Sequence, residues 1–148
     1  MILRKASIKD KDDVWSWYSD PLSRKMSIHD DCVDYKSHIS WFQNSLEDSD
    51  KTMYIGYEDE YKIGLSRFDF NKKNKCAYVS ITLDKNFRGK NLSKKFLQLS
   101  IDKFLENSKT TLKAKIKYDN LPSISCFKSC NFQLSETNDK FYTFIKNT

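Results

Sequence analysis

The run CAYVSITLDKNFRGKNLSKKFLQLSIDKFLEN, with TLKAKIKY close behind it, limits what this chain can fold into more than any other stretch. Residues 76–84 alternate strictly, with Ala77, Val79, Ile81 and Leu83 on one side and Tyr78, Ser80, Thr82 and Asp84 on the other. That period of two predicts a half-buried strand. Leu92, Phe96, Leu97, Leu99, Ile101, Phe104 and Leu105 then recur at helical spacing, while Lys94, Lys95, Gln98, Asp102 and Lys103 lie mostly off the stripe. An amphipathic helix over 91–107 is predicted. Leu112, Ala114, Ile116 and Tyr118 alternate again. Strand, helix and strand in that order predict a parallel pair with a right-handed crossover. Between the first strand and the helix lies a loop with Gly89, one of only three glycines. It falls at the carboxyl end of a central strand, where open α/β sheets hold their ligands. The unpaired N–H groups of a helix start attract anions to such a place.

The flanking segments read as the rest of a mixed sheet. Residues 2–7 form a first strand, and Ser7 or Asp10 caps a helix through about Tyr18, ended by the turn signal Ser19-Asp20-Pro21. Val33, Ile39, Trp41, Phe42 and Leu46 predict a second helix over 34–46. Residues 52–58 and 61–70 are β-rich and joined by Asp59 and Glu60, so with 76–84 they make an antiparallel meander. Pro122 marks another helix start, and residues 131–136 and 140–147 close the chain as a hairpin. The expected fold is α/β, a single mixed sheet in the order β-α-α-β-β-β-α-β-α-β-β, within one domain over 1–148.

Hydrophobic residues at 39% and aromatics at 14% exclude disorder. No apolar run approaches the roughly 20 residues of a membrane helix, and the first thirteen residues lack a signal-peptide core. A cytoplasmic protein without a membrane partner is expected. Cys32, Cys76, Cys126 and Cys130 form no C-x-x-C pair, and two histidines are too few to complete a metal site, so reduced thiols and no metal are expected. The net charge of +6 comes from dispersed lysines: Lys72, Lys73 and Lys75 in a turn, Lys94 and Lys95 on a helix, Lys113, Lys115 and Lys117 along one strand face. Without a basic run, attraction to a polyanionic small molecule is the expectation, and nucleic acid is not. Homodimerisation is left open.

Three features together resemble the GCN5-related N-acetyltransferase (GNAT) superfamily. They are the order of elements, the run SITLDKNFRGKNLSKKFL with its Arg-x-x-Gly-like pattern, and the segment YDNLPSISCFKSCNFQL. The resemblance implies the acyl-CoA N-acyltransferase fold and acetyl-CoA as co-substrate. Its pyrophosphate would lie on the backbone of Arg88, Gly89, Lys90, Asn91, Leu92 and Ser93, and its pantetheine along the strand at Ile81 and Leu83. Asn120 and Ser123 are implied as further contacts. The chain departs from the family pattern at Asn91 and Asn131, which replace glycines, at Ser93, which replaces a second glycine or alanine, and at Phe127. Many relatives carry at this last place a tyrosine that protonates the departing thiolate.

The first half bears on the acceptor. VWSWYSDPLSRKMSI followed by DYKSHISWFQNSLED resembles bacterial GNAT enzymes that act on aminosugars attached to nucleotides in surface-glycan pathways. The implied substrate is a primary amine on a nucleotide-linked amino-deoxysugar. His38 is the expected catalytic base, Trp41, Trp17 and Tyr78 the stacking surfaces, and Arg24 or Arg67 the diphosphate contact; His29 is the lesser histidine. Two other readings stand beside this one. The opening also resembles a ribosomal-protein-type N-terminal acetyltransferase, for which Asp30, Asp31 and Asp34 could face a basic tail. Phe127, Asn91 and Asn131 together would suit a non-catalytic acyl-CoA-binding module.

Overall fold

The computed structural model of the protein describes residues 1–28, 34–107 and 109–148. Seven strands form one sheet: β1 (Ile2–Lys5), β2 (Lys51–Glu58), β3 (Tyr61–Asn71), β4 (Cys76–Leu83), β5 (Thr111–Lys117), β6 (Gln133–Thr137) and β7 (Phe141–Lys146). Their spatial order is β1-β2-β3-β4-β5-β7-β6. Every neighbouring pair is antiparallel except β4 and β5, which run parallel as the strand–helix–strand unit requires.

Five helices complete the described fold: α1 (Lys11–Ser19), α2 (Pro21–Met26), α3 (Tyr35–Glu47), α4 (Ser93–Leu105) and α5 (Leu121–Ser129). The alternation in β4 separates two cores. Ala77 and Val79 join Phe68, Leu112, Ala114 and Ile116 against Leu97 and Ile101 of α4 and Cys126 and Phe127 of α5. Met53, Ile55 and Leu65 face the other way and bury Val14, Trp17 and Phe42 of α1 and α3.

The expected element order holds with one addition. Residues 19–21 are not merely a stop signal: Asp20 caps α2, its side chain accepting from the Ser23 N–H, and Pro21 occupies the first turn. Proline is tolerated there because its missing N–H has no intrahelical partner to lose. The first strand ends at Lys5 rather than Ser7, because Ser7 and Asp10 form a capping box around a 3-10 turn over Ile8–Asp10.

Asp10 joins three elements. Wholly buried, it accepts from both Arg4 Nη atoms (3.0 and 2.7 Å), from Lys62 Nζ (2.8 Å) and from the Ser7 N–H (2.8 Å). Burial alone would raise its pKa, but these donors outweigh burial and lower it to about 2.

The pairing of β4 with β5 is what positions the site. It covers Cys76 with Thr111, Ala77 with Leu112 and Tyr78 with Lys113, and then stops. Both strands continue, to Leu83 and Lys117, so they part beyond Tyr78 and leave one edge of residues 79–83 without a strand partner. On its other edge β4 stays paired with β3 as far as Leu83 opposite Gly64. Glycine is required at 64, since a Cβ there would come within 2.3 Å of the Thr82 carbonyl oxygen.

Candidate active site

The open end of this cleft leads into residues 84–93. Gly89 (φ 72°) and Asn91 (φ 58°) both adopt the left-handed conformation, and alternation of that kind turns successive backbone N–H groups into an anion-binding concavity. Asparagine tolerates φ > 0 better than other side-chain-bearing residues, so Asn91 keeps the shape for which the family uses glycine. Asn131 (φ 69°) does the same after α5. The side chains of Asp20, Asp34 and Asn120 cap α2, α3 and α5, whereas α4 has no side-chain cap at Leu92. The first N–H groups of α4 therefore face the loop unclaimed by a capping side chain, with the positive end of the helix dipole behind them. Lys90 is exposed, its Nζ 5.6 Å from the Phe87 ring centroid.

The other expected coenzyme contacts are spread around the cleft. Ile81 packs its side chain against the α4/α5 core, which leaves its backbone for the open edge, and Leu83 ends β4. Asn120 Oδ1 accepts from the Ser123 N–H at a long 3.4 Å, so both residues serve the α5 cap. Phe127 is buried against Phe132, edge to face at 5.0 Å. The Arg88 side chain is engaged by α2. Its Nη2 donates to Asp20 Oδ2 (2.8 Å) and Ser23 Oγ (2.9 Å), so its charge is already met by α2.

The opposite face of the cleft carries the expected acceptor residues. Register places Tyr78 beside Asp69 and Ser80 beside Arg67, on the side of the sheet that α1 and α3 cover. Arg67 Nε approaches Asp69 Oδ2 at 3.1 Å, and its guanidinium lies 5.4 Å from the Trp41 ring. Burial opposes this charge, but Tyr18 and Asp69 outweigh it and hold the Arg67 pKa above its usual value. Lys113, Lys115 and Lys117 project to the same side of β5. Lys115 Nζ reaches across the cleft to 4.8 Å from the Tyr78 ring, and Lys117 Nζ donates to the Lys25 carbonyl at the end of α2. Arg24 Nε donates to the Tyr18 carbonyl (2.6 Å). Among the described residues cations thus dominate this face, and its carboxylates Asp20 and Asp69 are paired with Arg88 and Arg67.

Three acceptor-side expectations need correction. Trp17 is 3% exposed and its Nε1 donates to Asp84 Oδ2 (3.0 Å), so it ties α1 to the loop and offers no stacking face. His38 is 2% exposed within rings of Trp15, Tyr18, Trp41 and Phe42 at 5.2–6.1 Å, which takes it out of reach of an acceptor amine in this conformation. Asp34 spends its carboxylate capping α3 at the Ser37 N–H (2.7 Å). His29, Asp30 and Asp31 lie outside the described residues. Sequence reasoning missed Asp20, Ser23 and Asp84, whose partners lie more than sixty residues away in the chain.

Burial lowers the His38 pKa against the opposing hydrogen bond with the Lys11 backbone, and its Nε2 has no partner among the described residues. The folded protein thus takes up this proton less readily than the unfolded chain, whose histidine titrates near 6.5. Stability is complete above about pH 6.5 and falls as pH drops below it toward the lower folded value. Denaturation midpoints measured from pH 7.5 to 5 should decline in the native protein. They should decline less in His38→Phe, and equal slopes would show that the folded histidine protonates freely.

A model of the acetyltransferase (GNAT) family matches residues 11–132, most of the chain. The chain belongs to that family. Consistent with this membership, the protein is an acetyl-CoA-dependent N-acetyltransferase, and the module reading falls away. A search of curated proteins finds no match. Solved structures show the same fold at low identity. Spermidine N-acetyltransferase from Vibrio cholerae, solved with CoA and spermine, is 12% identical with a TM-score of 0.82, over 97% of this chain and 92% of that one. Ribosomal-protein-alanine N-acetyltransferase from Brucella melitensis is 18% identical with a TM-score of 0.83, over 100% of both chains. The Campylobacter jejuni N-acetyltransferase PseH, solved with acetyl coenzyme A, is 16% identical with a TM-score of 0.75, over 99% of both. Among the described residues no helix is long and apolar enough to cross a membrane.

Proposed function

We propose that the protein transfers the acetyl group of acetyl-CoA to the primary amine of a nucleotide-linked amino-deoxysugar. The observation that carries this reading is the cationic acceptor face, where Arg67, Lys113, Lys115 and Lys117 converge on the cleft side occupied by Tyr78. A polyamine or a basic peptide would be repelled there. An acceptor that bears a diphosphate beside its amine would be drawn in and oriented. Lys113 and Lys115 are the proposed anion contacts, with Arg24 at the rim on α2 and Arg67, already paired with Asp69, as a secondary contact behind them; Trp41 and Tyr78 are the aromatic surfaces beside them.

The coenzyme is assigned to the opposite side of the same cleft. Backbone N–H groups of residues 88–93 hold the pyrophosphate, and the unpaired edge of β4 at Ile81 and Leu83 bonds the pantetheine amides. From Tyr78 to Leu83 the strand rises about 17 Å, which suits an extended arm whose thioester ends beside Tyr78 and Ser80. A neutral amine attacks the thioester carbonyl; the C–N bond forms, the C–S bond breaks with its electron pair leaving on sulfur, and the proton shed by nitrogen passes to water or to the departing thiolate. Phe127 donates no proton to that sulfur. A thiolate whose conjugate acid titrates near 8.5, as cysteine does, departs without a protein acid.

The test is thiol release from acetyl-CoA with four acceptors: a UDP-linked 4-amino-sugar, spermidine, an aminoglycoside and a basic peptide with an N-terminal alanine. The nucleotide sugar should lead in kcat/KM by roughly tenfold or more, with an advantage that shrinks as salt rises. Preference for spermidine or the peptide would overturn the acceptor assignment.

A further inference from the structure

Two contacts bolt the acceptor-side helices to the coenzyme loop. Trp17 of α1 donates to Asp84, which itself caps the 3-10 turn Lys85–Phe87 through the Asn86 N–H (2.8 Å). Asp20, the N-cap of α2, takes Ser23 N–H (3.1 Å) and Arg88 Nη2 (2.8 Å) on the same oxygen, and Arg88 Nη2 also donates to Ser23 Oγ (2.9 Å). Asp20 is 15% and Arg88 28% exposed at the side chain, so the pair is partly withdrawn from water. Burial would raise the Asp20 pKa, but Arg88 and the Ser23 N–H hold it low, consistent with an ion pair that persists at neutral pH.

We infer that Arg88 is a positioning residue whose side chain sets α2, and with it the acceptor wall, against the loop proposed to hold the pyrophosphate. A phosphate ligand would point its guanidinium into the concavity formed by Gly89 and Asn91. Here that group is committed to α2, and phosphate binding is left to backbone N–H groups. Arg24 and Lys25 lie on the six-residue helix that Asp20 starts, and Lys117 holds the carbonyl of Lys25 at its far end. A shift of Asp20 therefore moves Arg24 at the rim of the proposed acceptor face, and the carbonyl of Lys25 that Lys117 holds. The inference rests on the coenzyme placement proposed above and adds to it a division of labour within one loop.

Asp20→Asn and Arg88→Gln separate positioning from phosphate binding. Asparagine remains a good N-cap, so Asp20→Asn removes the ion pair while α2 keeps its start. Acetyl-CoA affinity is read by calorimetry, and acceptor KM by thiol release with the UDP-linked 4-amino-sugar or with whichever amine of the panel turns over. Both variants should raise acceptor KM by roughly tenfold, the scale of a charge-assisted hydrogen bond, and leave the acetyl-CoA Kd within about twofold of the native value. The double variant should be no worse than the poorer single one, because one interaction is lost in all three. Arg88→Lys, which retains the charge, should recover part of the loss. The inference is overturned if Arg88→Gln weakens acetyl-CoA binding about tenfold while Asp20→Asn changes nothing, or if neither variant moves acceptor KM. Native protein that fails to bind acetyl-CoA would instead indict the coenzyme placement itself.

Discussion

Replacing Gly89 with valine should weaken acetyl-CoA binding by roughly tenfold to a hundredfold. The residue holds φ 72°, which costs a β-branched side chain about 1–3 kcal/mol. An added Cβ would meet no protein atom within 4 Å, so the loss does not come from a clash inside the fold. It comes from a backbone that no longer holds its left-handed turn, and from a branched side chain standing where backbone approaches phosphate. Asn91→Gly is the opposite case: it relieves φ 58° at a side-chain-bearing residue and should leave binding equal or slightly tighter. Calorimetry reads both, and an unchanged Kd for Gly89→Val would remove the loop from the coenzyme site.

The second large effect concerns stability. Asp10→Ala should destabilise the protein by about 3 kcal/mol, the lower end for breaking a buried ion pair, because Arg4 and Lys62 are 40% and 29% exposed and can rehydrate. For a domain of this size that is roughly a 10 °C fall in Tm. The native protein should also show an acid transition attributable to Asp10. Its folded pKa of about 2 lies below the ordinary 3.8, so its contribution is complete above about pH 4 and is lost as pH falls toward 2. Asp10→Asn should flatten that transition. An Asp10→Ala Tm within about 2 °C of native would mean that the network is solvated rather than structural.

Much of the fold was legible because periods of two and 3.6 alternate clearly. The alternation in β4 and β5 and the stripe of α4 were enough to predict the parallel unit. The left-handed turns at Asn91 and Asn131 showed in the sequence only as asparagines standing where the family has glycine. The short helix α2 was not legible, because six residues cannot display a helical period and Asp20-Pro21 signals equally a turn or a capped start. Nor was the parting of β4 from β5, which depends on two strands ceasing to pair while each continues. The burial of His38 had a signal in the sequence: His38, Phe42 and Ser45 form one stripe of α3, and that stripe is buried. For Arg88 no local signal existed, as its partner Asp20 lies 68 residues away.

In the proposed complex the coenzyme fills the gap where β4 leaves β5 and ends on the α4 start. Amide hydrogen exchange of the native protein with and without acetyl-CoA tests this placement most directly. Protection should appear in residues 80–84 and 88–95 and leave the groove of Tyr118, Leu121, Ile124 and Leu134 outside α5 unchanged. Protection confined to that groove, or bound acetyl-CoA with no change along 80–95, would contradict it.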